Sequence, residues 1–253
     1  KVGIIFTEGN NRDQESSYAF ETAGATTELV YLNELKNKEK KLDDYQILFL
    51  PGGFTYGDDL FSAKIWAAKL MAYCEDQLAK FINEDKLIIG VCNGFQCLVR
   101  LGLLPYGNLG KIEATLTNNA SGHFEGRWIN TQVEKSNCIF TKGMEGKILR
   151  LPTSHCEGRF LAPKEDLEKI ENSNQVVMRY IDGNGNPTQN YPENPNGSTN
   201  AIAGMCSPNG KVFGLMPHPE CNTKWNHFPN WNNEGEQGGE ALEIFQNAVS
   251  YFK

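Results

Sequence analysis

Cys92 is the residue of this chain best placed to do chemistry. It stands where an apolar run, Leu87-Ile88-Ile89-Gly90-Val91, meets a segment of helical character, Asn93 to Leu101. Gly90, Cys92 and Gly94 give the spacing G-x-nucleophile-x-G, in which small neighbours allow a sharp strand-to-helix turn that exposes the side chain. Such a joint aims free amides and the positive end of the helix dipole at the sulfur, which favours thiolate. The plain alternative is a buried thiol at a strand end. Cys97, inside the helical segment among apolar residues, is read that way.

A cysteine nucleophile needs a base. The histidines are His123, His155, His218 and His227. His218 follows the apolar run Val212 to Met216 and precedes Pro219, which biases it to an extended backbone. Residues two apart on an extended chain face one way, so Glu220 can orient the imidazole. A structural histidine in a turn is the competing reading; prolines on both sides and a carboxylate at plus two favour the base. Acyl transfer also needs amides aimed at the developing oxyanion. Asn93 N–H is one candidate, and the Pro51-Gly52-Gly53 turn, through Gly52 and Gly53, supplies the other, since glycine permits close backbone approach. Gln96, four residues after Cys92 on the same helix face, is a candidate substrate contact.

These groups need a scaffold. Strand-like runs at 2–6, 27–32, 46–50 and 87–91 alternate with helical segments at 14–23 and 63–82. Continuous apolar strands between amphipathic helices imply an α/β fold, a mostly parallel central sheet covered on both faces. Such sheets place their chemistry beyond the carboxyl ends of the strands. From Leu109 the pattern changes to alternating, antiparallel-type strands at 113–118, 127–133, 147–151 and 176–181. Two final strands follow at 201–205 and 212–216, and a helix at 239–252. The stretch 182–198, rich in Asn, Gly and Pro, reads as a long and therefore functional loop. No repeat or linker divides the chain, which is read as a single domain, 1–253.

Composition narrows the classes. Among 253 residues, 40 % are apolar and 22 % charged, the mix of a globular chain with a real core. Lys plus Arg number 24 against 31 Asp plus Glu, a net charge of −7, which suits neither nucleic acid nor an anionic membrane surface. No apolar run approaches the ~20 residues of a membrane helix, and no signal peptide is evident. Seven scattered cysteines without C-x-x-C speak for a reducing, cytoplasmic setting, not for disulfides or structural zinc. Cys221 and His227 are too few ligands for a metal site, and none is expected. His155 and Cys156 are a weak rival dyad, because neighbours on an extended chain point apart. The glycosylation patterns at Asn119 and Asn196 are read as chance. Gly107-Asn108-Leu109-Gly110-Lys111 falls short of a P-loop, so no ATP cradle is recognised.

Taken together, Gly90-Val91-Cys92-Asn93-Gly94-Phe95-Gln96, the Gly52-Gly53 turn and His218-Pro219-Glu220 resemble the class I glutamine amidotransferases, whose fold is flavodoxin-like and three-layered. Pro51-Gly52-Gly53-Phe54-Thr55-Tyr56-Gly57-Asp58, Gly9-Asn10-Asn11-Arg12-Asp13, Arg179-Tyr180, Asn194-Pro195-Asn196-Gly197-Ser198 and Ile202-Ala203-Gly204 are similar to one branch, the glutaminase subunits of phosphoribosylformylglycinamidine synthase in purine biosynthesis. The resemblance runs from about Val2 to the C-terminus. It implies that Cys92 attacks the side-chain amide of L-glutamine, that His218, oriented by Glu220, moves the protons, and that a glutamyl thioester is hydrolysed. It implies no cofactor in this chain. A separate formylglycinamide ribonucleotide synthetase subunit would receive the ammonia and use ATP and Mg²⁺, with a small third subunit bridging the two in many organisms. Ser154, His155 and Cys156, within 154–158, should line the glutamine pocket, and 182–198 should lie near the mouth facing the synthetase.

Cys156 departs from the glycine usual in the family, Glu8 and Asn10 from proline and serine or threonine, and 222–238 is longer and more polar than expected. Two other classes compete. A thiol hydrolase of the DJ-1/PfpI-like group shares the elbow but lacks His-Pro-Glu near the C-terminus. A non-catalytic scaffold subunit would have lost Cys92, His218 or Glu220, and all three are present.

Overall fold

The computed structural model of the chain describes residues 1–234 and 239–253. Eleven strands are found among them: β1 (Val2–Phe6), β2 (Thr27–Tyr31), β3 (Ile47–Leu50), β4 (Leu87–Val91), β5 (Thr115–Thr117), β6 (Glu125–Val133), β7 (Ile148–His155), β8 (Arg159–Leu161), β9 (Val176–Tyr180), β10 (Ile202–Cys206) and β11 (Val212–Leu215). The helices are α1 (Asp13–Thr22), α2 (Leu32–Lys36), α3 (Lys64–Asn83), α4 (Asn93–Arg100), α5 (Lys164–Asn172), α6 (Trp231–Glu234) and α7 (Leu242–Ser250).

Nine strands form one sheet in the order β2-β1-β3-β4-β11-β10-β9-β6-β7, and β5 pairs with β8 apart from it. From β2 to β11 the pairing is parallel; from β11 to β7 it is antiparallel. The parallel strands β3 (ILFL) and β4 (LIIGV) are buried at every position, as strands covered on both faces must be. Helices α1 and α7 pack together on one face, where Phe20, Phe49 and Phe245 meet edge-to-face and tilted. Helices α2, α3 and α4 pack with one another on the other face. In β6 and β7 burial alternates, the mark of a half-covered antiparallel pair.

The expected α/β architecture with an added antiparallel region is present, with two shifts that matter for the site. β7 runs four residues past the expected 147–151 and ends at His155, which carries Ser154 to the sheet's active edge. The short β8 and the helices α2 and α5 were not expected; α5 (KEDLEKIEN) has a single buried residue, Ile170, too little apolar periodicity to be read in sequence. Among the described residues no helix is long and apolar enough to cross a membrane. Both asparagines of the glycosylation patterns are buried.

Of the segment 222–238, residues 235–238 lie outside the described residues. The rest packs on itself and on the sheet: Trp225 and Trp231 are edge-to-face at 5.1 Å, Phe228 meets Trp128 at 5.3 Å, and Arg150 lies over the Phe228 ring at 3.8 Å. Asn222 anchors its start by donating to Arg150 O at 2.7 Å.

Candidate active site

The elbow forms because nothing larger than hydrogen fits beside it. A Cβ on Gly94 would lie 1.9 Å from Leu50 O, and one on Gly90 2.6 Å from the Gly94 carbonyl carbon. With α4 seated this tightly on β3 and β4, the chain turns at Cys92 itself, whose φ of 53° and ψ of −105° place a non-glycine residue in strained backbone. Cys92 is 3 % exposed, at the N-terminal end of α4. Its Sγ is directed at Ser154 O, 3.5 Å away, at the end of β7.

β11 lies beside β4 in parallel register, Leu215 opposite Val91, so the segment after β11 emerges next to Cys92. There His218 N donates to Pro152 O at 2.9 Å, and His218 Nδ1 meets Glu220 Oε1 at 2.6 Å; the two side chains are almost wholly buried. Burial alone would lower the imidazole's pKa. Glu220 outweighs it, with the Cys92 thiol adding to the effect, and the ring is pushed up to about 10. His218 Nε2 has no aligned hydrogen bond, because the thiol is turned towards Ser154. The Cys92 sulfur is nonetheless close enough to the ring to contribute to its raised pKa.

The expected oxyanion turn lies against the same imidazole. A Cβ on Gly52 would meet His218 Cε1 at 2.7 Å, and Gly53, at φ 141°, faces Gly9 and Asn10 too closely for any side chain. The β-bridge between Asn10 and Gly53 uses Asn11 N to Gly52 O (3.2 Å) and Phe54 N to Gly9 O (2.8 Å), which leaves the Gly53 N–H outside the ladder. Asn10 fastens the turn: its Nδ2 donates to Pro51 O (3.0 Å) and Gly52 O (3.1 Å), and its Oδ1 accepts from Thr7 N (2.9 Å). The family departure at position 10 is thus a working part of the turn. In sequence Asn10 is one residue of the polar run 7–13 after β1, which does not single it out.

Behind the nucleophile runs a buried polar ring. Asn93 Oδ1 accepts from Thr55 Oγ1 (2.7 Å), and Asn93 Nδ2 donates to Asp58 (3.2 Å) and to Gln96 Oε1 (2.9 Å). Gln96 Nε2 donates to Glu157 O at 2.6 Å, and Glu157 Oε2 accepts from Ser62 N at 3.1 Å. Gln96 is 3 % exposed with both amide atoms engaged, so the structure places it as a strut between α4 and the 154–158 loop. The linking segment 56–63 holds five non-glycine residues at positive φ: Tyr56, Asp58, Leu60, Phe61 and Ala63.

The 154–158 loop is set from outside by asparagine and serine side chains. Asn119 Nδ2 donates to His155 O (2.8 Å), and its Oδ1 accepts from Gly158 N (3.0 Å) and lies 3.1 Å from His155 Nδ1. Ser198 Oγ accepts from Phe160 N (3.0 Å), and Asn194 holds Gly197 N and Ser198 N at 2.9 and 3.1 Å. The loop 182–198 is therefore a brace for the pocket. His155 is buried, its ring turned to Asn119 and not to the neighbouring thiol; burial, helped by His218, lowers its pKa to about 3. Cys156 is exposed, and burial of its thiol atom with the charges of Asp58 and Glu157 raises its pKa. Ser154 sits at the cleft by virtue of its carbonyl. The structure thus gathers Cys92, His218, Glu220, Gly52, Gly53, Asn93 and Ser154 at one edge, with Gln96 and His155 in the layer behind. The sequence reading gives Asn10 only as a family departure, Asn119 only as a chance glycosylation pattern and Glu157 only as part of 154–158; their bracing contacts are findings of the structure.

Comparison with known proteins bears on this geometry. The CobB/CobQ-like glutamine amidotransferase domain matches residues 1–252. The PurQ subunit of phosphoribosylformylglycinamidine synthase from Dehalococcoides mccartyi is 42 % identical over 253 residues, covering 99 % of this chain and 97 % of its own. That of Methanococcus maripaludis is 39 % identical over 266 aligned residues, covering 100 % and 97 %. The chain belongs to the PurQ family of glutamine amidotransferases. Among solved structures, one from Thermotoga maritima titled "Structure of PurLQS" superposes with a TM-score of 0.75 at 32 % identity, over 100 % of this chain and 98 % of that one. Cys92 beside the buried His218–Glu220 pair is an arrangement of thiol, imidazole and carboxylate suited to amide hydrolysis.

Proposed function

We propose that this chain is the glutaminase subunit of a phosphoribosylformylglycinamidine synthase, releasing ammonia from L-glutamine for a separate synthetase subunit in purine biosynthesis. The observation that carries the reading is the buried His218–Glu220 pair set beside the strained Cys92 elbow, in a chain matched end to end by PurQ subunits.

The chemistry follows from the groups. His218 holds, as imidazolium, the proton that leaves Cys92 on activation, and the thiolate attacks the amide carbon of glutamine. The negative oxygen forms between the Gly53 and Asn93 N–H groups. His218⁺ gives its proton to the departing nitrogen, so ammonia leaves and a glutamyl thioester remains. The neutral imidazole then takes a proton from water, hydroxide adds to the thioester, and collapse releases glutamate and the thiolate. One water enters, and one glutamate and one ammonia leave. Each proton passes through Nε2, so Nδ1 stays on Glu220 throughout.

No cofactor is required by these steps; ATP and Mg²⁺ belong, in this proposal, to the synthetase, and the setting is cytoplasmic. Partner docking is supported by the rim. Phe54 and Phe124, with rings 6.2 Å apart, and Leu60, Phe61 and Tyr191 are all exposed there, an unusual density of large apolar groups. Leu60 and Phe61 also carry positive φ, strain that a bound partner can relieve or hold. A small third subunit joining the two is part of the same proposal.

The test is a reconstituted synthesis from formylglycinamide ribonucleotide with ATP, given either glutamine or ammonium. Cys92→Ala is expected to remove glutamine-dependent synthesis, by at least ~10³-fold, and to leave ammonium-dependent synthesis intact. Glutamine-dependent turnover surviving in Cys92→Ala overturns the assignment.

A further inference from the structure

Cys221 has no part in the reaction above, yet its position is unusual. It ends the 3-10 turn Pro219–Cys221, directly after the orienting carboxylate, and is a free, half-exposed thiol. Its Sγ, a ring nitrogen of His218 and a carboxylate oxygen of Glu220 all lie within 4.8 Å of one another. A second observation points the same way. Glu220 is 1 % exposed, one oxygen engages His218, and the other, Oε2, is buried without a hydrogen-bond partner. An unfilled buried acceptor beside a thiol and an imidazole is an S, N, O donor set.

That set suits a soft divalent cation. Donor-to-metal lengths of about 2.0–2.3 Å put tetrahedral donors roughly 3.3–3.8 Å apart, so these groups need to move by no more than about an ångström. The half-exposed Cys221 provides the entrance. Arg12 is the nearby cation facing Cys221 and Glu220, and it is already paired with Glu15 at 2.9 Å.

We propose that His218, Glu220 and Cys221 form an inhibitory site for Zn²⁺ or Cd²⁺. The cation binds the Cys221 sulfur, the Glu220 carboxylate and the Nδ1 face of His218, with water in the fourth position. The thiol proton and the Nδ1 proton pass to solvent, and no electrons are transferred. The imidazole loses its orienter and its basicity, and hydrolysis stops. This differs from capture of a metal between Cys92 and His218 Nε2, which needs no third thiol.

The two are separated by Cd²⁺ titration of the full chain carrying Cys92→Ala and Cys156→Ser, followed by the ultraviolet cadmium–thiolate charge-transfer band. One equivalent is expected to bind with a single-thiolate band, and adding Cys221→Ser is expected to abolish it with the circular dichroism unchanged. In the active enzyme, Cys221→Ser is expected to keep basal glutamine turnover while raising the Zn²⁺ concentration for half-inhibition roughly tenfold or more. Absence of the band in Cys92→Ala/Cys156→Ser, its survival without Cys221, or equal Zn²⁺ inhibition of Cys221→Ser and the parent overturns the proposal. The binding measurement uses a chain without the nucleophile, so it decides the site whether or not the glutaminase reading stands.

Discussion

The two halves of the cleft are held by different forces. On the nucleophile side, Cys92 and the Gly52-Gly53 turn are fixed chiefly by backbone in direct contact, α4 on β3 and the 51–53 turn on residues 9–11, with Asn10 and Asn93 adding side-chain bonds. On the pocket side, 154–158 is fixed by side chains donating to and accepting from backbone, chiefly Asn119, Ser198, Asn194 and Gln96. Contact packing is steep and tolerates no added atom, whereas a polar brace is a sum of bonds, each worth about 1 kcal/mol. The side that holds the Cys92 sulfur is therefore rigid, and the 154–158 side can be tuned one bond at a time.

The sharpest break is at the joint between the halves. Glu220→Gln keeps the shape but removes the charge that raises His218, and kcat is expected to fall roughly 10³-fold with KM little changed. A comparable fall in Ser154→Ala, whose carbonyl is retained, would erase the distinction. Next, Gly94→Ala places a Cβ into Leu50 O and is expected to cost about 3 kcal/mol or more in denaturant unfolding, if the chain folds at all. By contrast, Asn119→Ala removes bonds to His155 O and Gly158 N and is expected to cost about 1–3 kcal/mol, seen as a KM for glutamine raised about tenfold or more with kcat within a few-fold. Equal stability losses in the two variants would mean that both sides are packed alike.

The remaining contrast is in pH. His155 is held neutral down to about 3, below its unfolded value near 6.5, so the unfolded chain binds a proton that the folded chain does not. Stability from this group is whole above about 6.5 and falls by up to about 1.4 kcal/mol per pH unit as pH drops towards 3. His218 has the opposite sign: raised to about 10, it stabilises most below about 6.5 and loses that contribution as pH climbs to about 10. His155→Gln is expected to flatten the acid limb of the stability curve and leave the alkaline limb; a flattened alkaline limb would assign the two titrations the wrong way round.

The same division decides what could be read in advance. β1, β3, β4, β11 and the elbow announce themselves because continuous apolar runs, paired glycines and a His-Pro-Glu trio leave one-dimensional signals. The pocket side leaves almost none. Asn119 acts on residues 36 and 39 positions away, and Ser198 on one 38 away, and an asparagine in a loop looks alike whether it braces a pocket or faces water. The end of β7 escapes a sequence reading because Pro152-Thr153-Ser154-His155 lacks apolar alternation, although Thr153 and His155 are buried. Helix spacing puts Gln96 on the Cys92 side of α4 but does not show its bond across to Glu157 O.

The burial of the Cys92 sulfur against Ser154 has a pharmacological side. The Cys92 thiol is nearly sealed, while the two more accessible ones, Cys156 and Cys221, are kept protonated by burial and adjacent carboxylates. A small alkylating agent drifting past thus meets sulfur that is either hidden or sluggish. Selective inactivation of Cys92 requires a warhead mounted on something that first fits the cleft like an amino acid.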